Sequence, residues 1–122
     1  MSDDEKSGLI AKVIGPKKRW RAYRARIKEL PADYRTAAEA VEKSLMYFVP
    51  NDHDSSASLF EDLADLFEQG VANGTSIREL VGEDPVEFVK EFAAAYTDGG
   101  YFPARARKHL TDTVDRLAGG AA

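Results

Sequence analysis

Between Ser58 and Val89 the chain reads SLFEDLADLFEQGVANGTSIRELVGEDPVEFV, and this stretch limits the fold more than any other. Leu59, Leu63, Leu66 and Gly70 recur at i, i+4, i+7 and i+11, and Phe60, Phe67 and Val71 widen the same stripe. Glu61, Asp62, Asp65 and Glu68 take the other side, so helical periodicity yields one buried and one acidic face. Asn73-Gly74 stops the helix, because glycine enters the left-handed cap conformation without a Cβ penalty. Ser76 then caps a short turn through Leu80, and Gly82 breaks it. Asp84, Pro85 and Glu87 supply an N-cap, an N1 proline and a capping-box acid for the next helix. Phe60, Phe67, Phe88 and Phe92 read as core rather than as a ligand site.

The flanking sequence is helical too. Residues 1–7 read as a disordered tail, and Leu9, Ile10, Val13 and Ile14 as a short apolar turn closed by Gly15. Pro16 suits N1 of a helix on which Trp20, Tyr23, Ile27 and Leu30 form a core stripe, while Lys18, Arg21, Ala25 and Lys28 point away. Pro31 opens a helix with Tyr34, Ala37, Ala38, Val41, Leu45 and Phe48 inward, ended by Pro50. In the polar loop that follows, Ser55, Ser56 or Ser58 is the expected cap of the acidic helix. Val86, Phe88, Val89, Phe92 and Tyr96 continue the core beyond Pro85. TDGGYFP interrupts the pattern before a last helix carrying Leu110, Val114 and Leu117. No sustained two-residue alternation occurs, so no sheet is expected. The reading is all-α: a compact bundle of about five helices, one domain over 8–118, with a disordered end at 119–122.

Charge is distributed unevenly. From Lys12 to Lys28 there are eight basic residues and no acid, whereas Ser44 to Phe92 holds eleven acids against Arg78 and Lys90. A basic helix and an acidic middle can meet within one chain or across a symmetric interface. There is no cysteine, which removes disulfides, thiol nucleophiles and cysteine-ligated metals. That fits a reducing, cytoplasmic setting. The opening MSDDEKSG lacks the apolar run of a secretory signal, and no segment approaches the length needed to span a bilayer, so a soluble protein is expected.

Chemical motifs are wanting. His53 and His109 have no second ligand at helical spacing, and a calcium loop numbered from Asp52 fails at Ala57 and Leu63. Ser55, Ser56 and Ser58 lie near His53 without a nucleophile elbow, and Gly99-Gly100 lacks the lysine of a phosphate loop. The expectation is therefore no enzyme, no metal, no cofactor, and no titratable groups converging in a dry cavity. KKRWRAYRAR interleaves aromatics with arginines as backbone-binding helices do. Trp20 and Tyr23 fall on the core stripe, however, and the whole chain is acidic with a pI near 5.2, so DNA binding is disfavoured.

The segments GLIAKVIGPKKRWRAYRARIKELPADYR and LFEDLADLFEQGVANGTSIRELVGEDPVEFVKEF together resemble a family of bacterial helical domains, domain of unknown function 1048. The shared order is an Ile-Gly turn, a KK-W-Y helix, Leu-Pro-x-x-Tyr-Arg, Leu-Phe-Glu-x-Gly, x-Gly-x-Ser and Gly-x-Asp-x-x-x-Phe. TDGGYFPAR departs from the uninterrupted last helix that the resemblance implies. What the resemblance implies is a small all-α domain, often encoded beside PadR-type transcriptional regulators, with no catalytic residue to carry over.

The expected function is a regulatory or signalling interaction module, homodimeric, acting with a PadR-like regulator. Lys18, Arg21 and Lys28 on one side and Glu61, Asp62, Asp65 and Glu68 on the other are its expected recognition surfaces. The alternative is a binder of a small apolar or aromatic ligand, held between helices by Trp20, Tyr23, Tyr47, Phe48, Phe92, Tyr96 and Tyr101. A DNA-binding accessory role is the third reading.

Overall fold

The acidic stretch forms a helix of 21 residues, His53–Asn73, and both of its ends are set by named groups. At its start the carboxylate of Asp52 accepts from the Ser55 N–H at 2.8 Å, so Asp52, not a serine, is the cap. The sequence offered Ser55, Ser56 and Ser58 within a few positions of Asp52. Aspartate outcompetes them because its charge also complements the positive end of the helix. At its end Gly74 sits at φ 71° and ψ 22°. There the Thr75 N–H donates to Gly70 O at 2.8 Å and the Gly74 N–H to Val71 O at 3.2 Å, a Schellman closure.

This computed structural model describes residues 15, 17–49, 52–96 and 102–119, with residue 53 as backbone alone. Among them there are six helices and no strand: α1 (17–28), α2 (Ala32–Leu45), α3 (His53–Asn73), α4 (Ile77–Val81), α5 (Pro85–Ala94) and α6 (Ala104–Gly119). A 3-10 turn, Met46–Phe48, extends α2. The tail 1–7, the apolar turn at Leu9–Ile14, Pro16, Pro50, Gly99-Gly100, Tyr101 and residues 120–122 lie outside the described residues. Gly119, read as part of the loose end, is the last residue of α6.

Helix α2 is the hub: it packs on α3, α5 and α6, and α6 in turn packs on α4 and α5. The core holds Tyr23, Ile27, Val41, Leu45, Leu59, Leu63, Phe67, Val89, Leu110 and Val114. On α3 the buried line runs through Ala64 and Phe67, leaving Leu66 half-buried. Phe60 and Phe67 are buried, whereas Phe88 and Phe92 pack half-buried against the core. Two polar side chains tie loops to distant helices. The Tyr34 hydroxyl donates to Thr75 O at 2.6 Å, and Arg78 bonds Gly82 O, Glu83 O and the Asp115 carboxylate.

The five residues of α4 are too few to stand alone, and strong caps hold them. Ser76 accepts from the Glu79 N–H at 3.1 Å while the Glu79 carboxylate accepts from the Ser76 N–H at 3.0 Å, a complete capping box. Gly82 at φ 89° then turns the chain, and Asp84 accepts from the Val86 and Glu87 N–H groups to start α5.

Helix α4 folds back on α3 at Gly70, where a Cβ would fall 2.6 and 2.7 Å from the two Leu80 methyl carbons. Alanine favours a helix interior over glycine by about 1 kcal/mol, but overpacking costs about 1–3 kcal/mol, so the clash decides the sign. Gly70→Ala should therefore lower the denaturant midpoint. Introduced into a Leu80→Ala background, the same change should raise it; a loss in both backgrounds would disprove the contact.

Candidate interaction surface

Around the axis of α1 the side chains sort into four directions. Tyr23 and Ile27 point to the core, with Trp20 half-buried beside them. Arg19 and Arg26 lean towards α3. There Arg19 grips Glu61 with two bonds, Nε to Oε2 at 2.9 Å and Nη2 to Oε1 at 2.6 Å, and also reaches Asp54 and Ser58. Arg26 grips Glu68 likewise, at 2.8 and 2.7 Å, and bonds Asp65 as well. Arg24 leans the other way, to Glu42 of α2 at 2.8 Å, with its guanidinium 5.9 Å from the centre of the Trp20 ring.

The acidic face is consequently not the free surface that its sequence suggests. Glu61, Asp65 and Glu68 are held by α1, and Asp62 accepts a hydrogen bond from the Tyr96 hydroxyl. The bond from Arg19 lowers the pKa of Glu61, and the bond from Arg26 lowers that of Glu68. Partial burial, with Asp62 as hydrogen-bond acceptor, pushes Tyr96 up to about 12. The fourth direction of α1 is the outward one. Lys18, Arg21 and Lys28 are exposed there, as the periodicity implied, and none is paired with a described residue.

The aromatic residues proposed as one ligand pocket belong to three clusters. Trp20 and Tyr23 meet Phe60, with ring centres 5.2 to 5.6 Å apart. Tyr47 and Phe48 both pack on Phe102, and Phe92 lies between Phe88 and Tyr96. Tyr101 lies outside the described residues. The first cluster opens into an apolar cleft, of about 230 Å³, walled by Met46, Val49 and Ala57. Met46 and Val49 are 44% and 39% exposed at its rim. Phe60 and Phe102, absent from the expected pocket, bind two of these clusters together. The stripe of Phe60 was visible in the sequence, but nothing there said which helix its ring would meet, and Phe102 lies in TDGGYFP, where the helical pattern is interrupted.

One buried polar node also escaped the sequence reading. The Tyr23 hydroxyl donates to Glu42 Oε1 at 2.8 Å, while Oε2 takes Arg24. Tyr23 is 1% exposed and Glu42 7%, so two titratable groups meet inside the fold, in packed contact. Burial first, and then the Glu42 charge, raise the Tyr23 pKa. Glu42 lies four residues after Ala38 and three before Leu45, a register that places it on the inward face. Both of its oxygens are taken by structural donors. Among the described residues no three His, Cys, Asp or Glu side chains are grouped to hold a metal ion, and the His53 side chain lies outside them.

Two predictions follow from this wiring. Tyr23→Phe strips one donor from a buried carboxylate and should cost about 1–3 kcal/mol in denaturant unfolding; Glu42→Gln in the same background should recover part of that loss. The Arg19 and Arg26 pairs depress Glu61 and Glu68 below their unfolded pKa. Their stability is thus fully present above the ordinary carboxylate range and is lost as pH falls through the folded values. Arg26→Ala should cost about 1 kcal/mol at neutral pH, since the pairs are partly exposed. The gap to the parent protein should close in acid, and a gap independent of pH would refute the staple.

No helix among the described residues is long and apolar enough to cross a membrane. No curated protein and no solved structure matches the chain. A family model, described as a protein of unknown function (DUF1048), matches residues 11–115, which include all of α1 to α5 and most of α6. The chain therefore belongs to the DUF1048 family.

Proposed function

We propose that this protein is a non-enzymatic binding module that docks an acidic, amphipathic segment of a partner protein along α1. The observation that carries this reading is the division of labour on that helix. Arg19, Arg24 and Arg26 are consumed by internal carboxylates, while Lys18, Arg21 and Lys28 stand exposed in a line without any. Charges left over after internal pairing steer partners and set on-rates.

The apolar cleft beside Trp20 supports the same reading through its size. At about 230 Å³ it is smaller than the usual ligand pocket of about 300–1,000 Å³, and it suits a single large side chain used as an anchor. A PadR-like regulator is the partner that the family resemblance implies. Because most carboxylates of the α3 face are already engaged, that face of a second copy offers little to the basic line. A cytoplasmic location belongs to the same proposal. The alternative is a compact apolar or aromatic ligand in the cleft, which the exposed Met46 and Val49 walls favour.

The test is titration with an acidic amphipathic helical peptide carrying one leucine or phenylalanine anchor, read by Trp20 fluorescence. The triple variant K18E/R21E/K28E should weaken binding at least about tenfold with helical content unchanged. Equal binding by the variant would overturn the proposal. Quenching of Trp20 by small aromatic compounds without peptide binding would favour the ligand reading, and steeply salt-dependent retention on duplex DNA would favour the DNA reading.

A further inference from the structure

A second cleft, of about 390 Å³, lies between α2 and the start of α6, and it shares no residue with the α1 surface. Ala40, Lys43, Ser44 and Tyr47 recur at i, i+3, i+4 and i+7 along one face of α2 and its 3-10 extension. Pro103, Arg105, Ala106 and His109 face them from α6. Among the described residues no carboxylate lines this cleft, and Lys43, Arg105 and His109 are exposed with no acidic partner.

The backbone adds to this positive lining. The first helical bond of α6 runs from the Arg107 N–H to Pro103 O at 3.0 Å. The N–H groups of Ala104, Arg105 and Ala106 therefore have no acceptor within the helix, and Pro103 has no polar side chain to cap them. They form the positive end of a helix of 16 residues, and its first turn contains no acid.

Two side chains make this more than a helix end. Ser44 is 5% exposed, lines the cleft, and its hydroxyl is hydrogen-bonded to no described residue. No buried side-chain oxygen or nitrogen among the described residues lacks a partner, so this unpaired hydroxyl keeps access to solvent, and the side on which it opens is the cleft. Tyr47 has one ring face stacked on Phe102, at 5.6 Å and 24°, yet it remains 42% exposed and lines the same cleft. A ring backed in this way is a fixed platform for a flat ligand. The volume falls within the ordinary range for small-molecule sites, which the Trp20 cleft does not reach.

We infer that the α2–α6 cleft binds a small organic oxyanion carrying a planar ring. The anionic group sits against the first turn of α6, between Lys43, Arg105 and His109 and within reach of Ser44, and the ring lies on Tyr47. Phosphate and carboxylate headgroups share this chemistry, and separate probes tell them apart.

The experiment follows backbone amide resonances of the full chain during titration with phenyl phosphate, benzoate and inorganic phosphate at low salt. Saturable shifts centred on Ala104, Arg105, Ala106 and Ser44 are expected with at least one of the two ring-bearing anions, whichever headgroup binds tighter naming the class. Inorganic phosphate should bind more weakly than that probe. The double variant R105A/H109A changes exposed residues alone and should weaken binding at least about tenfold with the unfolding midpoint unchanged, and S44A should weaken it to a smaller extent. Absence of saturable shifts with both ring-bearing anions, equal binding by R105A/H109A, or equal affinity for inorganic phosphate and the ring-bearing probe would each overturn the assignment.

Discussion

Seven cations between residues 17 and 28, with no acid among them, would repel one another on an isolated helix. The fold depends on how that repulsion is resolved. Arginine has the fork geometry to grip a carboxylate with two bonds, and the arginines at the flanks of α1 do so, Arg19 and Arg26 on α3 and, through a single bond, Arg24 on α2. With both flanks fastened, Tyr23 and Ile27 are held in the core and Trp20 against it. The two lysines on the outward line, Lys18 and Lys28, remain with Arg21 in solvent. The excess charge thus acts as cement on two sides and as display on the third.

The two clefts differ in a way that follows from the same economy of charge. The Trp20 cleft is apolar because the arginine beside it is already occupied by Glu61 and Asp54. The α2–α6 cleft is polar because Lys43 and Arg105 line it with no carboxylate among the described residues. Like charges held at close quarters carry an unfavourable interaction that an anion relieves. On the proposals made above, the first cleft takes a side chain of a partner and the second a small molecule.

Much of the fold was legible because helical periodicity and caps are local. The inward stripes of α1, α2 and α6 follow from residue spacing, and Gly74, Ser76, Gly82, Asp84 and Pro85 mark boundaries through their own backbone chemistry. What stayed hidden was azimuth. Sequence placed Arg19 and Arg26 on a basic helix and Glu61 and Glu68 on an acidic one, but whether those faces meet depends on how one helix is rolled against another. The same ignorance merged three aromatic clusters into one supposed pocket. It also left Glu42 unnoticed on a face otherwise apolar. The cap of α3 failed for a different reason: Asp52 competes with three serines in one short loop, and their local preferences are nearly equal.

The corner made by α4 has a consequence for how the chain reaches its shape. Five residues between two left-handed glycines cannot nucleate a helix unaided, and Gly70 and Asp115, which receive Leu80 and Arg78, belong to elements far apart along the chain. The corner can thus set only after α3 and α6 have each docked on α2. It is a late-closing clasp, and whatever loosens either helix from α2 will be registered there before it reaches the centre of the bundle.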